Sequence, residues 1–238
     1  PGAGSLLDPL RLKGLPRAME RIERAITAGE HLRLVTDYDV DGTTSCLILH
    51  AALDRCIQSS GSRARISYHI PDRFVEGYGL SAQAIEKAVE DKVSLLITAD
   101  IGVRDHASIR LAAEKKVDVL VCDHHLPAGE DVPSDAYTVI CPPQSGCTYP
   151  NKALAACGVS LKLATALLAG DSRREDVIGS MLKLAAIGTI ADVVDLATPE
   201  NRAIVSLGLE RRLLRSALHR VYQARCDSGC PLCFDQGR

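Results

Sequence analysis

The 238-residue chain can hold one large domain or two small ones, and 46% of its residues are hydrophobic, enough for a sizeable core. Its formal net charge of −2 means that any nucleic-acid binding needs a local basic patch rather than overall positive charge. No apolar run approaches the roughly 18 residues of a membrane span, which argues against membrane insertion, and the nine cysteines, an odd number, favour reduced thiols in the cytoplasm.

Apolar periodicity predicts that helices and strands alternate through the first 150 residues. The strands are predicted at residues 32–36, 65–70, 95–98 and 117–122 and at Val139 and Ile140. The helices are predicted at residues 17–29, 43–57, 81–92 and 105–116, with Ser81 and Asp105 as N-caps of the last two. Because each strand is followed by a helix, the chain is predicted to be an α/β protein with a mostly parallel sheet flanked by helices.

The character of the sequence changes after Pro150, where strand patterns end. Residues 153–170, 173–188 and 200–218 are predicted to be helical, so a sheet core at about 30–145 precedes a helical portion at about 150–212. The last 14 residues have no helical or strand period. Their cysteines could form a zinc site with His219, or this segment is a disordered end or a truncation junction; these cysteines are Cys226, Cys230 and Cys233.

Three carboxylates at alternate positions, Asp37, Asp39 and Asp41, directly follow the first predicted strand. Clustered carboxylates repel one another unless a hard divalent cation joins them. Other polar groups end later elements, namely Asp100, Asp123, His124, His125 and Asp192. Each could be an ordinary helix cap or turn former. Because parallel strands share one carboxyl edge, however, the whole set is predicted to meet there.

The ordered motifs Asp-x-Asp-x-Asp-Gly, Thr-Ala-Asp-Ile-Gly, Asp-His-His and Gly-Thr-Ile-Ala-Asp resemble those of the DHH phosphoesterase superfamily. Within it, the segment at residues 70–80 is similar to a loop of RecJ-type single-strand-specific exonucleases, and residues 157–164 and 200–202 also fit. The resemblance covers roughly residues 7–212. It implies a DHH-type fold and a two-metal phosphoesterase.

Carried over position by position, the resemblance implies two Mn²⁺ or Mg²⁺ ions. The expected ligands are Asp37, Asp39, Asp41, Asp100, His124 and Asp192, with Asp100 bridging the ions. His125 is expected beside the scissile phosphate, and Asp123 is expected to orient a histidine. These two residues and Asp100 form the implied catalytic set. Carboxylate and imidazole ligands agree with Mn²⁺ and, less closely, with Mg²⁺.

The implied activity is 5′ to 3′ hydrolysis of single-stranded DNA in DNA repair or recombination, with a single-strand-binding protein or helicase as a further partner. Arg73 could pair with a phosphate and Tyr78 could stack on a base. Arg104 follows Asp100 and could also meet phosphates, although a solvated helix start would explain it equally well. Without the resemblance, Arg73 and Tyr78 would be explained as part of an ordinary surface loop.

RecJ-type enzymes carry a second domain after the catalytic one, and this chain stops soon after the connecting helix begins near Glu200. We therefore expect a catalytic domain at residues 1–212, a tail at 213–238 and no second domain. Two alternatives stay open. One is a phosphoesterase of the same superfamily that acts on short oligonucleotides, cyclic dinucleotides or pyrophosphate; the other is a non-catalytic binding or scaffold module.

Overall fold

The computed structural model describes residues 2–72, 74–129 and 132–210. Its strands are β1 (His31–Thr36), β2 (Arg65–His69), β3 (Leu95–Ala99), β4 (Asp118–Cys122) and β5 (Thr138–Ile140). Its α-helices are α1 (Leu15–Ala28), α2 (Val40–Ser60), α3 (Ala82–Glu90), α4 (His106–Glu114), α5 (Ala156–Leu167), α6 (Arg174–Ala191) and α7 (Pro199–Gly208). None of the helices in this described part has the length and apolarity needed to cross a membrane.

The five strands form one sheet in the order β2-β1-β3-β4-β5, and every neighbouring pair is parallel. The predicted α/β fold with a parallel sheet and a helical C-terminal portion is therefore confirmed. Because β2 and β3 lie on opposite sides of β1, the direction of winding reverses between β1 and β3. Open α/β sheets form a ligand crevice at the carboxyl ends of the strands beside such a reversal.

Helices cover both faces of the sheet, which explains why the central strands are apolar runs rather than alternating sequences. Leu32 and Leu34 of β1 face a core that α1, α2, α5 and α6 complete, whereas Val35 faces a second core against α3 and α4. Helix α2 packs against β1 on one side and against α5 and α6 on the other. The helical portion is thus anchored to the sheet through α2.

Several boundaries differ from the prediction. Helix α2 begins at Val40 rather than at residue 43, because Asp39 Oδ1 accepts a hydrogen bond from Gly42 N at 2.8 Å and caps the helix there. Helix α7 ends at Gly208, and Leu209 and Glu210, which are also predicted to be helical, are not; residues 211–218, the rest of the predicted helix, lie outside the described part. The cysteine-rich segment and its suggested zinc site also lie outside the described residues.

Of the two predicted capping side chains, one is correct and one is wrong. Ser81 Oγ accepts a hydrogen bond from Ala84 N at 3.1 Å and caps α3, as predicted. Asp105 occupies the N-cap position of α4 but makes no capping hydrogen bond there. Its carboxylate instead accepts a hydrogen bond from Leu80 N at 2.8 Å, which ties the loop after β2 to the start of α4.

A buried polar network joins α5, α7 and the N-terminal segment. Lys162 Nζ lies 2.6 Å from Glu200 Oε1 and donates to the carbonyl of Leu7 at 2.7 Å. Glu200 also accepts hydrogen bonds from Tyr149 and Asn151. Lys162 and Glu200 are almost fully buried. Each charge would therefore destabilise the fold if its partner were removed.

Replacing Lys162 with methionine is expected to lower the free energy of unfolding by about 3–5 kcal/mol, because Glu200 would be left as a buried, unpaired charge. Lys87→Met is a matched control, since Lys87 is 59% exposed and its ion pair with Glu90 lies at the surface. Urea unfolding followed by circular dichroism measures both variants. Equal stability of Lys162→Met and the wild type would contradict the assigned role of the network.

Candidate metal centre

Carboxylates and imidazoles from four elements converge at the carboxyl edge of the sheet. Asp37 follows β1, Asp100 follows β3, Asp123 begins the segment after β4, and Asp192 is the C-cap of α6. Three overlapping groups have donor atoms within 4.8 Å of one another: Asp37, Asp39 and Asp100; Asp41, His124 and Asp192; and Asp100, His124 and His125. Each group could hold a metal ion.

The acidic turn after β1 depends on close backbone approach. Asp37 is buried, whereas Asp39 is exposed and is the N-cap of α2. A Cβ at Gly42 would lie 2.4 Å from the carbonyl oxygen of Asp37, so only glycine fits there. Gly42 thereby lets α2 start directly above the strand end and places these carboxylates beside Asp100.

Asp41 is held by a helix that is distant in sequence. Its two carboxylate oxygens accept hydrogen bonds from Ala156 N at 2.8 Å and Cys157 N at 2.9 Å, the first two residues of α5. The N-cap residue of α5, Ala155, makes no side-chain capping bond. Asp41 therefore accepts the hydrogen bonds of N–H groups that have no partner within the helix. The positive end of α5 also stabilises the negative charge of Asp41.

Helix α6 approaches this carboxylate through Gly188. A Cβ at Gly188 would lie 2.5 Å from Thr44 Oγ1, 2.6 Å from Cys157 Sγ and 2.9 Å from Asp41 Oδ1. Asp192 lies about one turn further along the same helix, and its Oδ2 is 3.7 Å from His124 Nε2. Three helices therefore meet at Asp41, and the position of Asp192 depends on the same crossing.

Gly188→Ala is expected to weaken Mn²⁺ binding by about 10–100-fold, the usual effect of disturbing groups that orient metal ligands. The control is Gly179→Ala in the same helix, where an added Cβ meets no atom within 4 Å. Isothermal titration calorimetry would measure the affinity, with circular dichroism to verify folding. A Gly188→Ala protein that binds Mn²⁺ as the wild type does would show that the crossing does not set the ligand geometry.

Asp100 carries the observation that best indicates a cation. It is 2% exposed, and its φ of 65° lies in the left-handed region that non-glycine residues rarely adopt. Neither its Oδ1 nor His124 Nε2 has a hydrogen-bond partner among the described residues, although the two buried atoms lie 3.2 Å apart. Burial and the nearby Asp41 and Asp39 hold the pKa of Asp100 well above its usual range. A divalent cation would satisfy both atoms, so the residues fit a metal.

Asp123 has different contacts, because its oxygens are occupied by protein donors. Oδ1 accepts hydrogen bonds from the backbone N of His124 and His125 and, at 2.8 Å, from His125 Nδ1. Oδ2 accepts one from Val103 N. Burial opposes ionisation, but the hydrogen bond and the charge of His125 outweigh it and lower the pKa of Asp123. The same bond raises the pKa of His125 and leaves its Nε2 as the nitrogen that can meet a ligand.

The three predicted substrate residues differ in where they lie. The hydroxyl of Tyr78 donates to the carbonyl of Asp100 at 3.3 Å, and its ring meets His125 edge-on with centroids 6.3 Å apart. Arg104 Nε donates to the carbonyl of Leu126 at 2.8 Å, so it braces the segment after His125. Arg73 lies outside the described residues. The structure therefore brings Tyr78 to the centre.

Sequence reasoning missed the part that α5 plays at this site. Residues 157–164 resemble a family segment, but the resemblance gives them no role at the site, and the sequence predicts that the helix begins at residue 153. One signal was present in the sequence. The start of α5 has no Ser, Thr, Asp or Asn at its N-cap, and a buried helix start without a capping side chain needs an acceptor from elsewhere.

The chain is similar to known proteins in sequence and in fold. Residues 31–189 match the family described as DHH family, N-terminal domain. Over 204 residues the chain is 43% identical to the single-stranded-DNA-specific exonuclease RecJ of Bacillus subtilis (strain 168), an alignment covering 86% of this chain and 24% of that protein. The chain thus spans about a quarter of that relative's length.

Two solved structures are similar in fold and sequence. A crystal structure of an exonuclease RecJ bound to manganese matches with a TM-score of 0.71 and 34% identity, covering 89% of this chain and 54% of that chain. RecJ from Thermus thermophilus in complex with Mn²⁺ matches with a TM-score of 0.63 and 31% identity, covering 87% of this chain and 29% of that chain.

Proposed function

The chain belongs to the DHH family, and from this membership we propose that it hydrolyses phosphodiester bonds of single-stranded DNA as a metal-dependent 5′ to 3′ exonuclease. The observation that carries the proposal is that the carboxylate of Asp100 belongs to two of the three groups of donor atoms. Its two oxygens could contact two closely spaced cations, the arrangement of a two-metal phosphoesterase site. The RecJ relatives, which act on single-stranded DNA, supply the substrate class.

We propose two Mn²⁺ or Mg²⁺ ions at this edge, because the donors are mainly carboxylate oxygens with one imidazole. The residues that would hold them are Asp37, Asp39, Asp41, Asp100, His124 and Asp192. When bound, such ions polarise the phosphate and supply a nucleophile from water at neutral pH. Asp41 would be a rigid ligand because α5 holds it, and Asp39 would be held by its capping bond from Gly42 N.

His125 is proposed as the general acid. Its Nδ1 donates to Asp123, which fixes the tautomer and favours the protonated ring. Its Nε2 can then give a proton to the oxygen that leaves when the phosphodiester bond breaks. Asp123 acts as a positioning residue, since its carboxylate holds His125 and belongs to none of the three groups of donor atoms among the described residues. Tyr78 would contact the nucleotide, a proposal that its contacts with Asp100 and His125 support.

The proposal also covers the cellular location, the pathway, the protein partner and the bounds of the catalytic domain. We place the protein in the cytoplasm, consistent with the free cysteines in the described residues, and in DNA repair or recombination with a single-strand-binding protein or helicase as partner. We also propose that residues 1–212 form the catalytic domain. The two alternatives, a phosphoesterase for small substrates and a non-catalytic module, predict different results in the following assay.

The assay incubates the purified chain with Mn²⁺ and a 5′-phosphorylated, 3′-labelled single strand. The same strand as a duplex and a dinucleotide are run in parallel. Release of mononucleotides from the single strand alone supports the proposal. Faster hydrolysis of the dinucleotide than of the long strand would favour the small-substrate phosphoesterase, and strand binding without hydrolysis of any substrate would favour the non-catalytic module.

A further inference from the structure

A groove between α2 and β2 lies next to the metal centre and has no part in the chemistry above. It has a volume of about 310 Å³ and is lined by Thr43, Cys46, Leu47, His50, Tyr68 and Ile70. None of these six residues is Asp, Glu, Lys or Arg, and burial raises the pKa of Cys46, so its thiol is neutral. A groove without formal acids or strong bases therefore adjoins a strongly acidic centre.

The groove and the centre share structural elements. Thr43, at one end of the groove, donates its backbone N–H to the carbonyl of Asp39 at 2.9 Å, so both belong to the first turn of α2. Ile70, on the opposite wall, directly follows β2 and begins the loop that carries Tyr78 to Asp100. From Thr43 to His50 the groove follows α2 for about 10 Å. A ligand at the metals can therefore extend into it.

The walls of the groove expose apolar side chains. Tyr68 is 63% exposed and Leu47 is 50% exposed, although both lie in regular secondary structure. The rings of His50 and Tyr68 pack edge-on with centroids 6.3 Å apart, which holds the tyrosine in place while leaving much of it open. Concave sites of this size with exposed aromatic and aliphatic walls are typical of small-ligand binding.

We propose that this groove binds a nucleobase of the strand whose phosphate lies at the metal centre, an inference that rests on the proposed function. A nucleotide joins an anionic phosphate to a flat, uncharged ring, and the two adjoining sites match these two halves. Aromatic side chains stack on any base and so bind single strands without sequence preference. Because the bases of a duplex are already stacked, the groove would also contribute to selection of single strands.

The test compares Tyr68→Ala with the wild type in two assays. Fluorescence anisotropy is expected to show a roughly tenfold weaker affinity for a single strand. Mn²⁺ affinity, measured by isothermal titration calorimetry, is expected to be unchanged, because the groove and the three groups of metal-donor atoms share no residue. Tyr68→Phe, which keeps the ring, should bind as the wild type does. Leu10→Ala is the matched control, since Leu10 is 54% exposed and lies outside the groove.

Strands that lack one base test whether Tyr68 contacts the base itself. Removing the base at one position beside the scissile phosphate should weaken binding to the wild type roughly tenfold, with no further loss in Tyr68→Ala. Equal affinity of Tyr68→Ala and the wild type, or an equal abasic penalty in both, would overturn the proposal. Anisotropy requires no turnover, so failure of the wild type to hydrolyse any phosphodiester would count against the proposed function and not against the groove.

Discussion

Asp100→Asn is expected to abolish tight Mn²⁺ binding and to lower hydrolysis of single-stranded DNA by roughly 10³-fold or more, since bound cations contribute several kcal/mol to the reaction. The reason is geometric. Asp100 belongs to the group with Asp37 and Asp39, and its Oδ1 lies 3.2 Å from Nε2 of His124, which belongs to the group with Asp41 and Asp192, so its loss affects both proposed ion positions. Asparagine has nearly the same shape and tolerates a left-handed backbone better than most residues, so the φ of 65° does not oppose the substitution.

The same variant is expected to be more stable than the wild type when no metal is present. Asp100 is buried beside Asp41 and Asp39, which raises its pKa, so its ionised form opposes folding at neutral pH. Asparagine removes that charge. Thermal unfolding should therefore show a higher melting temperature for metal-free Asp100→Asn, together with loss of the further increase that Mn²⁺ gives the wild type.

Asp118→Asn is the control for this experiment. Asp118 begins β4 at the opposite edge of the sheet, where it pairs with Arg21, and this variant should keep Mn²⁺ binding and hydrolysis. Asp100→Asn protein that hydrolyses DNA at the wild-type rate would contradict the assignment of this residue. A metal-free melting temperature well below that of the wild type would show that the carboxylate stabilises the fold instead.

His125→Ala is expected to lower hydrolysis of DNA by about 10²–10⁴-fold, the contribution of a general acid, without loss of Mn²⁺ affinity. The alkoxide that leaves from DNA needs a proton, whereas p-nitrophenolate is a stable anion. The rate on bis(p-nitrophenyl) phosphate should therefore fall less than tenfold in the same variant. Asp123 keeps its bonds from three backbone N–H groups, so the fold should tolerate the change.

Steady-state rates on the two substrates decide the role of His125. A large loss on DNA with a small loss on the nitrophenyl ester identifies proton donation to the leaving oxygen. Equal losses on both substrates, with metal binding intact, would show that the ring contacts the phosphate without transferring a proton. Loss of Mn²⁺ binding in His125→Ala would instead indicate that His125 is a metal ligand. Its donor atom does lie within 4.8 Å of those of Asp100 and His124.

The fold and the position of the centre were predictable because both depend on local patterns. Apolar runs at residues 32–36 and 95–98 are typical of buried parallel strands, and the carboxyl ends of such strands share one edge. Asp37 and Asp100 were thereby placed together from sequence, and the structure brings their carboxylates within 4.8 Å. The motif order further linked Asp192 to the same edge, although it ends a helix rather than a strand.

Three features were not predictable from the sequence, because each depends on contacts between residues that are distant in the chain. Asp41 and Cys157 are 116 residues apart, and although the uncapped start of α5 indicates a need for an acceptor, no local pattern identifies Asp41 as that acceptor. Asp105 has the residue type and position of a helix cap, yet its side chain bonds to Leu80 because the loop after β2 passes beside it. Similarly, Tyr68 lies in a correctly predicted strand, but its exposure depends on how α2 covers that strand.

The most direct test of the central claim is a crystal structure of the chain grown with Mn²⁺ and measured at the manganese absorption edge. We predict two anomalous peaks about 3.5–4 Å apart, both within bonding distance of Asp100, with His124 on one of them. Peaks elsewhere, or no peak in crystals that contain millimolar Mn²⁺, would contradict the assignment of a two-cation centre to this edge of the sheet.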